Sequence, residues 1–311
     1  MHPKNTPFSR RHMIAAASAA ASLTALPKWT LHAADPIEGR TAPKFKYSLA
    51  AYSYRSLLTG KNGTPAEMDL LGFIDECADM QLDGAELTSY YMPDEPSKDY
   101  LIGLRTACFR KGLAVSGTAI RNDFGFPPGP DREQQLAHVR RWIDNAAILH
   151  APMIRIFAGH QKKGVSAEQT HQWMVEGMTE SCQYAARHGI YLALENHGGP
   201  TASAEGLLKL VQDVDSPWLG VNLDTGNFRE GGDPYQQMTA AVPYAVNVQV
   251  KVVVRDARGN DQPMDFARLR SILSDANYRG FVVLEYEEDG DVRKECRHFV
   301  QQMRTALNGD A

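Results

Sequence analysis

Three apolar runs in the second half of the chain each end in a single carboxylate. Residues 190–195 end in Glu195, residues 219–224 in Asp224, and residues 281–285 in Glu285. Short apolar runs of this kind are typical of fully buried strands. An unpaired carboxylate is costly to bury, so packing does not explain these residues. We expect the three strand ends to share one polar site at one edge of a parallel sheet.

Apolar strand patterns alternate with amphipathic helix patterns along the chain. Strands are predicted at residues 47–52, 84–87, 113–120, 152–157, 190–195, 219–224, 245–253 and 281–286, each followed by a helix. This alternation implies parallel strands. Eight such units in about 265 residues match an α/β fold of the (β/α)8 TIM barrel type, which typically has about 250 residues. A doubly wound open sheet is the alternative, but it would carry a glycine-rich phosphate loop that the sequence lacks.

The first 34 residues have the composition of an export signal. Arg10 and Arg11 precede a run of Ala, Ser and Leu that leads to small residues at positions 33 and 34. This order is typical of a signal peptide, and the paired arginines indicate the twin-arginine route. We therefore predict a signal at residues 1–34, a linker at 35–45, one barrel domain at 46–307 and a periplasmic location. A disordered basic N-terminus or a membrane anchor is the alternative.

Charge and cysteine usage narrow the classes of function. Removing residues 1–34 takes the formal net charge from −4 to −8. Nucleic-acid binding depends on basic residues, so this acidity argues against it. No internal apolar run reaches the roughly 18–20 residues that span a bilayer. The four cysteines lack metal-ligand spacing, and we predict that they are free and mostly buried: Cys77, Cys108, Cys182 and Cys296.

In (β/α)8 barrels the active site lies at the carboxyl ends of the strands. Converging carboxylates at this rim repel one another unless a cation lies between them. Lys251 or Arg155 could be this cation, and a divalent metal ion could also be, because it binds several oxygens at once. Gln249 is placed on strand seven to be a fourth ligand beside the three carboxylates. A salt-bridged barrel top without a metal is the alternative.

Other polar and aromatic side chains also follow strands on this rim. His160 and His197 come after strands four and five, and we expect them, with Lys251, to hold or polarise substrate oxygens. Further residues are expected to shape the pocket or contact the substrate: Glu86, Tyr52, Tyr54, Arg155 and Phe157.

Four strand ends together resemble the xylose-isomerase-like barrel superfamily. They are Glu195-Asn196-His197, Asp224-Thr225-Gly226-Asn227, Val248-Gln249-Val250-Lys251 and Leu284-Glu285-Tyr286-Glu287. That superfamily includes sugar and sugar-phosphate isomerases and epimerases, with apurinic endonucleases as relatives, and the resemblance covers roughly residues 46–305. It implies a metal site made of Glu195, Asp224, Gln249 and Glu285.

Two positions depart from the pattern of the superfamily. Strand seven usually carries His where this chain has Gln249, and many members carry His where it has Asn227. Both changes replace an imidazole nitrogen with an amide. They favour Mn²⁺ or Mg²⁺ over Zn²⁺ as the divalent metal, and we place Asn227 among the substrate-binding residues.

The resemblance implies removal of a proton beside a sugar carbonyl, with the metal stabilising the enediolate. Glu195 and Glu285 would act as base and acid on opposite faces of the substrate. The acidic loop at residues 287–291 favours an unphosphorylated sugar or keto-sugar, so we predict a sugar isomerase or epimerase with a small carbohydrate as its partner. The alternatives are a 3-keto-glycoside lyase or hydrolase and a non-catalytic sugar-binding barrel. The sequence does not identify which sugar is the substrate or whether the protein forms a homo-oligomer.

Overall fold

A computed structural model describes residues 45–60, 63–228 and 230–308. The predicted signal peptide and almost all of the predicted linker lie outside these residues. The strands are β1 Lys46–Ala50, β2 Gly84–Glu86, β3 Ala114–Ala119, β4 Met153–Ile156, β5 Tyr191–Glu195, β6 Leu219–Asp224, β7 Ala245–Val250, β8 Val253–Arg255, β9 Asp261–Pro263 and β10 Phe281–Leu284. The helices are α1 Arg55–Leu58, α2 Leu70–Asp79, α3 Lys98–Arg110, α4 Pro130–Leu149, α5 Ala167–Ala186, α6 Ala204–Val214, α7 Pro234–Ala241, α8 Phe266–Asp275 and α9 Val292–Asn308.

Eight of the strands close into one barrel. Their order around it is β1-β10-β7-β6-β5-β4-β3-β2, and every neighbouring pair is parallel. Strand β10 is therefore the eighth barrel strand. The predicted single-domain (β/α)8 barrel is confirmed, and all eight carboxyl ends lie at one rim.

The helices form where apolar residues recur at helical spacing. Helix α2 buries Leu70, Phe73, Ile74 and Cys77, and Asp69 begins it by accepting a hydrogen bond from the amide of Gly72. A spacing of three and four residues places these side chains on one face, which packs on the barrel. All four cysteines are free and buried, as predicted. In the described part of the chain, no helix is both long and apolar enough to cross a bilayer.

Strand seven ends earlier than predicted. The barrel strand stops at Val250, and the next residues form an antiparallel hairpin in which β8 pairs with β9. The side chain of Asp256 accepts hydrogen bonds from the amides of Arg258 and Asn260, and Gly259 has φ 82°. This turn folds the chain back, so an apolar run that looks continuous in sequence divides into two elements.

The inside of the barrel carries a ring of polar side chains. Oxygens of the buried Glu86 accept from Gln249 Nε2 at 2.7 Å and from Asn247 Nδ2 at 3.1 Å. Asn222 closes the ring, because its Nδ2 donates to Gln249 Oε1 at 2.6 Å and its Oδ1 accepts from Asn247 at 2.8 Å. Barrel interiors are usually filled by branched apolar residues. Here the hydrogen bonds within the ring offset part of the cost of burying amides and a carboxylate.

Candidate active site at the barrel mouth

Glu195, the last residue of β5, is buried beside a cation and an amide. The Nε atom of Arg155, on the neighbouring strand β4, lies 2.8 Å from Glu195 Oε2. Nδ2 of Asn227 donates to the other oxygen over 3.1 Å. Arg155 also donates to the carbonyl oxygen of Ile120 and to the hydroxyl of Tyr90. These contacts fix the guanidinium beside the acid at the barrel mouth.

Lys251 forms a second ion cluster three strands away from Arg155. Its Nζ lies 2.5 Å from Glu285 Oε2 and 3.3 Å from Asp224 Oδ2. A third oxygen, of the partly exposed Glu287, lies 3.0 Å away. The topology explains the arrangement, because β7 lies between β6 and β10. The ammonium group that follows β7 therefore stands between the acids that end the two neighbouring strands.

The surroundings shift the pKa values of Glu195 and Glu285 in opposite directions. Burial raises the pKa of Glu195 to about 7, although Arg155 opposes the shift. Burial acts to raise the pKa of Glu285, but the charge and hydrogen bond of Lys251, the charge of Arg155 and a hydrogen bond with Asp224 together outweigh burial. The pKa of Glu285 therefore lies below its usual value. Two carboxyl groups whose surroundings push their pKa values apart are the arrangement that acid–base pairs use. Burial raises the pKa of Asp224 well above its usual range, against the effect of Lys251.

The residues predicted as metal ligands do not fit a divalent ion in this arrangement. Among residues 45–60, 63–228 and 230–308, no three side chains of the His, Cys, Asp or Glu type come together to hold one. Both polar atoms of the amide of Gln249, the predicted fourth ligand, form hydrogen bonds within the barrel ring. Glu195 is paired with Arg155, and Lys251 stands between Asp224 and Glu285. The salt-bridged alternative describes this rim.

A small cavity opens over the two ion clusters, and we call it the carboxylate pocket. Its volume is about 330 Å³, at the lower end of the range for ligand sites. The lining residues are Tyr52, Tyr90, Arg121, Arg155, Phe157, Glu195, His197, Asn227, Lys251, Glu285 and Glu287. The predicted Glu195, Glu285, Arg155, His197, Asn227 and Lys251 are therefore together. Asp224, Gln249 and Glu86 are buried residues that do not line this pocket.

Two predicted contact residues lie elsewhere. Tyr54 is fully buried with its ring against Phe73, so it does not reach the pocket. The chain turns into a 3-10 helix at Ala51–Tyr54, and Tyr52, which was also predicted, lines the pocket. His160 is exposed and lines an adjoining cavity rather than the carboxylate pocket. His160 lies in the loop that follows β4, outside the lining of the carboxylate pocket.

Sequence reasoning missed Arg121 and Tyr90 as pocket residues. Arg121 is the second residue after β3. Choosing polar residues that end a strand or directly follow it, as was done for Glu195 and Asp224, would therefore have found it. Its guanidinium lies 4.9 Å from the centre of the Tyr90 ring. Tyr90 lies in the 3-10 turn Ser89–Tyr91 after β2, a segment whose side-chain directions the strand pattern does not fix.

His197 and Phe157 form one wall of the pocket. Their ring centres are 4.4 Å apart. Burial lowers the pKa of His197, and the positive charges of Arg155 and Lys251 lower it further, so the imidazole is neutral near pH 7. A neutral imidazole can donate one hydrogen bond and accept another, which suits it to the hydroxyl groups of a polyol.

Comparison with known proteins gives relatives with the same architecture. The chain is 26% identical over 201 residues to a 3-dehydroshikimate dehydratase of Bacillus anthracis, covering 62% of this chain and 68% of that protein. A D-psicose 3-epimerase, solved in the presence of D-fructose, has a TM-score of 0.70 at 17% identity and covers 85% of this chain and 99% of that chain. A barrel protein of Mycobacterium smegmatis, solved in complex with magnesium, has a TM-score of 0.61 at 18% identity, covering 85% and 98% of the two chains.

The family assignment rests on the sequence match, because structural likeness at such low identity shows the fold alone. A model described as xylose isomerase-like TIM barrel matches residues 74–303. That range begins within α2 and ends within α9, so it includes seven of the eight barrel strands and every predicted ligand. The chain therefore belongs to the xylose isomerase-like TIM barrel family.

Proposed function

We propose that the chain is an enzyme that moves a proton at the carbon beside a carbonyl of a small, unphosphorylated sugar or keto-sugar, giving isomerisation or epimerisation. One observation carries the proposal: Glu195 and Glu285 line the same small pocket and are paired with different cations. Strands β5 and β10 are three steps apart around the barrel. The two acids therefore approach a bound substrate from separate directions.

The charges around the two acids suggest their roles. Glu285 is held ionised by Lys251 and acts as the base, while Glu195, whose pKa burial raises to about 7, is partly protonated near pH 7 and acts as the acid. Removing a proton beside a carbonyl puts negative charge on the carbonyl oxygen. Lys251 and Arg155 supply positive charge at the pocket, the role that the sequence prediction gave to Mn²⁺ or Mg²⁺.

The pocket also favours an uncharged substrate. Glu287 lines it and begins an acidic loop at residues 287–291, which repels a phosphate group. Two of the pocket's three cations, Lys251 and Arg155, are already paired with carboxylates, and the guanidinium of the third, Arg121, lies over the Tyr90 ring. A sugar hydroxyl needs hydrogen bonds rather than a free cation, and the Asn227 amide and the His197 imidazole are suited to give them.

Elimination is the second candidate, favoured by the dehydratase relative. Loss of water beside a carbonyl starts with the same proton removal, after which the enolate expels a hydroxyl group. A glycoside whose aglycone is attached at the carbon β to a ketone would lose the aglycone in the same way. Glu285 is again the base, and Glu195 gives its proton to the departing oxygen instead of to carbon, so the products separate this candidate from isomerisation.

The test is turnover in deuterated water with a panel of free and 3-keto sugars, followed by NMR. We expect deuterium at the carbon beside the carbonyl, or an elimination product. Glu195→Gln and Glu285→Gln should each lower kcat by about 10²-fold or more. Glu205→Gln, an exposed glutamate in the first turn of α6, is the matched control and should leave kcat unchanged.

Two outcomes would contradict the proposal. The first is full activity in both glutamine variants. The second is recovery of every sugar in the panel unlabelled and unchanged. Binding of a sugar without any exchange would favour the non-catalytic sugar-binding alternative. Circular dichroism of each variant shows whether the barrel is intact.

A further inference from the structure

A second cavity adjoins the carboxylate pocket, and we call it the side pocket. Its volume is about 500 Å³, and three of its lining residues also line the carboxylate pocket: Arg121, Phe157 and His197. The other residues used below are Asp123, Phe126, Gln135 and His160. Because the two pockets share these walls, one ligand can extend from the first into the second.

The loops that build the side pocket are locked together. Asn122 after β3 bonds both atoms of its amide to the backbone of Phe157 after β4, at 2.8 and 2.9 Å. Asp123 accepts from the amide of His160 at 3.2 Å and from Lys162 Nζ at 2.5 Å. At Gly159, where φ is 104°, a Cβ would lie 2.0 Å from the Asp123 carboxylate. These contacts form the side pocket before any ligand binds, which lowers the entropy cost of binding.

The side pocket presents aromatic surface and unused hydrogen-bond donors. Gln135 accepts from the amide of Asp123 through Oε1 at 3.0 Å, and its Nε2 makes no hydrogen bond to the described residues. Arg121 pairs with no carboxylate of the residues that the structure describes, and its guanidinium lies over the Tyr90 ring. Phe126 and Phe157 supply apolar area. Donors beside aromatic rings suit a ring that carries hydroxyl groups, such as a second sugar.

We infer that the substrate is a glycoside, whose keto-sugar unit occupies the carboxylate pocket while the attached sugar or aglycone occupies the side pocket. This inference rests on the proposed function for the position of the reacting unit. The reacting carbon lies near Glu195 and Glu285, and the attached group extends toward Phe157 and Arg121, which line both pockets. A free monosaccharide would leave the side pocket unused.

The experiment compares ligands that differ only in the attached group. The probes are the 3-keto derivatives of methyl glucoside, maltose and cellobiose, each given to the full chain. Kd is measured by calorimetry and kcat/KM by NMR. We expect at least one disaccharide derivative to bind about tenfold more tightly than the methyl glucoside derivative, and to have a correspondingly higher kcat/KM.

One variant tests the side pocket without touching the acids. Gln135→Glu keeps an oxygen that accepts from Asp123 but removes the free Nε2 donor. The ratio of the Kd of the methyl glucoside derivative to the Kd of the disaccharide derivative should fall close to one in this variant. The Kd and kcat/KM of the methyl glucoside derivative should not change. Gln134→Glu makes the same charge change at an exposed neighbour on α4 that does not line the side pocket, and should preserve the advantage.

The outcomes separate the two ideas. Equal affinity for all probes, or an advantage that Gln135→Glu leaves intact, would overturn the side-pocket inference even if proton exchange occurs. A disaccharide advantage that Gln135→Glu abolishes, without proton exchange or elimination in any probe, would support the side pocket and contradict the proposed function.

Discussion

Nε2 of Gln249 donates to Glu86 over 2.7 Å, joining β7 to β2 across 163 positions of sequence. The oxygen of the same amide accepts from Asn222. Both polar atoms of Gln249 are thus used in hydrogen bonds inside the barrel. The Lys251 ammonium, two residues further on, stands between Asp224 and Glu285 instead.

The first prediction follows from this arrangement and concerns metal content. A divalent ion at this rim would have to displace a buried ammonium that already pairs with two of the three carboxylates. We therefore expect the purified full chain, dialysed with Mn²⁺ and then freed of excess ion, to retain far less than one equivalent by mass spectrometry. Chelation should leave turnover unchanged. One tightly held Mn²⁺ or Mg²⁺ per chain, with activity lost on chelation, would restore the ligand set that the sequence predicted.

The second prediction is the effect of removing the ammonium. Lys251→Met leaves Asp224 and Glu285 buried without their cation, and breaking a buried ion pair typically costs about 3–5 kcal/mol. Urea unfolding at pH 7 should show a loss of this order. Mn²⁺ should then raise the melting temperature of the variant but not that of the wild type, because only the variant has carboxylates that lack a cation. Lys209→Met, which removes an exposed i,i+4 pair with Asp213, is the control.

The barrel and the positions of its acids are predictable from sequence because both depend on local pattern. Buried strands read as apolar runs, and parallel strands place their carboxyl ends at one rim. Glu195, Asp224 and Glu285 were therefore found without any knowledge of their neighbours. Lys251 and Arg155 were recognised as cations near them for the same reason.

The parts that sequence missed depend on side-chain direction and on distant partners. Tyr52 and Tyr54 were both predicted to shape the pocket, but in the 3-10 turn at Ala51–Tyr54 only Tyr52 lines the pocket, while the Tyr54 ring packs on Phe73. Gln249 was predicted as a ligand because its position along β7 is suitable. Its hydrogen bond to Glu86 depends on which side chains meet inside the closed barrel, and no local sequence pattern predicts such a meeting.

The third prediction concerns stability and Glu86. Burial raises the pKa of this carboxyl from an ordinary value of 4.5 to about 7. A folded-state pKa above the unfolded value means that the stabilising contribution is fully present below pH 4.5 and is lost as pH rises through about 7. From pH 5 to pH 8 this group should lower the free energy of unfolding by on the order of 3 kcal/mol.

Comparing pH dependence in a variant isolates this contribution. In Glu86→Gln the fall in unfolding free energy between pH 5 and pH 8, measured by urea titration, should be smaller than in the wild type. Glu205→Gln changes an exposed glutamate and should keep the wild-type slope. Identical slopes in the wild type and in Glu86→Gln would mean that Glu86 is ionised in the folded protein throughout this range.

The fourth prediction concerns location. We propose that the chain is exported by the twin-arginine route, because Arg10 and Arg11 precede an alanine-rich run. Replacing both with Lys should leave the protein in the cytoplasm with its N-terminal segment intact, as judged by fractionation and mass spectrometry. Lys4→Gln, a change outside the pair, should not affect export. Mature protein in the periplasm after the double replacement would contradict this route.

The fifth prediction is the pH dependence of turnover. If Glu195 donates the proton, kcat/KM must fall as pH rises through about 7, the pKa of this carboxyl. Arg155 opposes the burial that raises this pKa, so replacing the guanidinium should raise it further. In Arg155→Gln the alkaline fall of kcat/KM should therefore move to higher pH, in addition to any loss of rate. Arg140→Gln, which removes an exposed arginine paired with Glu180, should leave the profile in place. A fall that stays near pH 7 in Arg155→Gln would assign the titrating group to a residue other than Glu195.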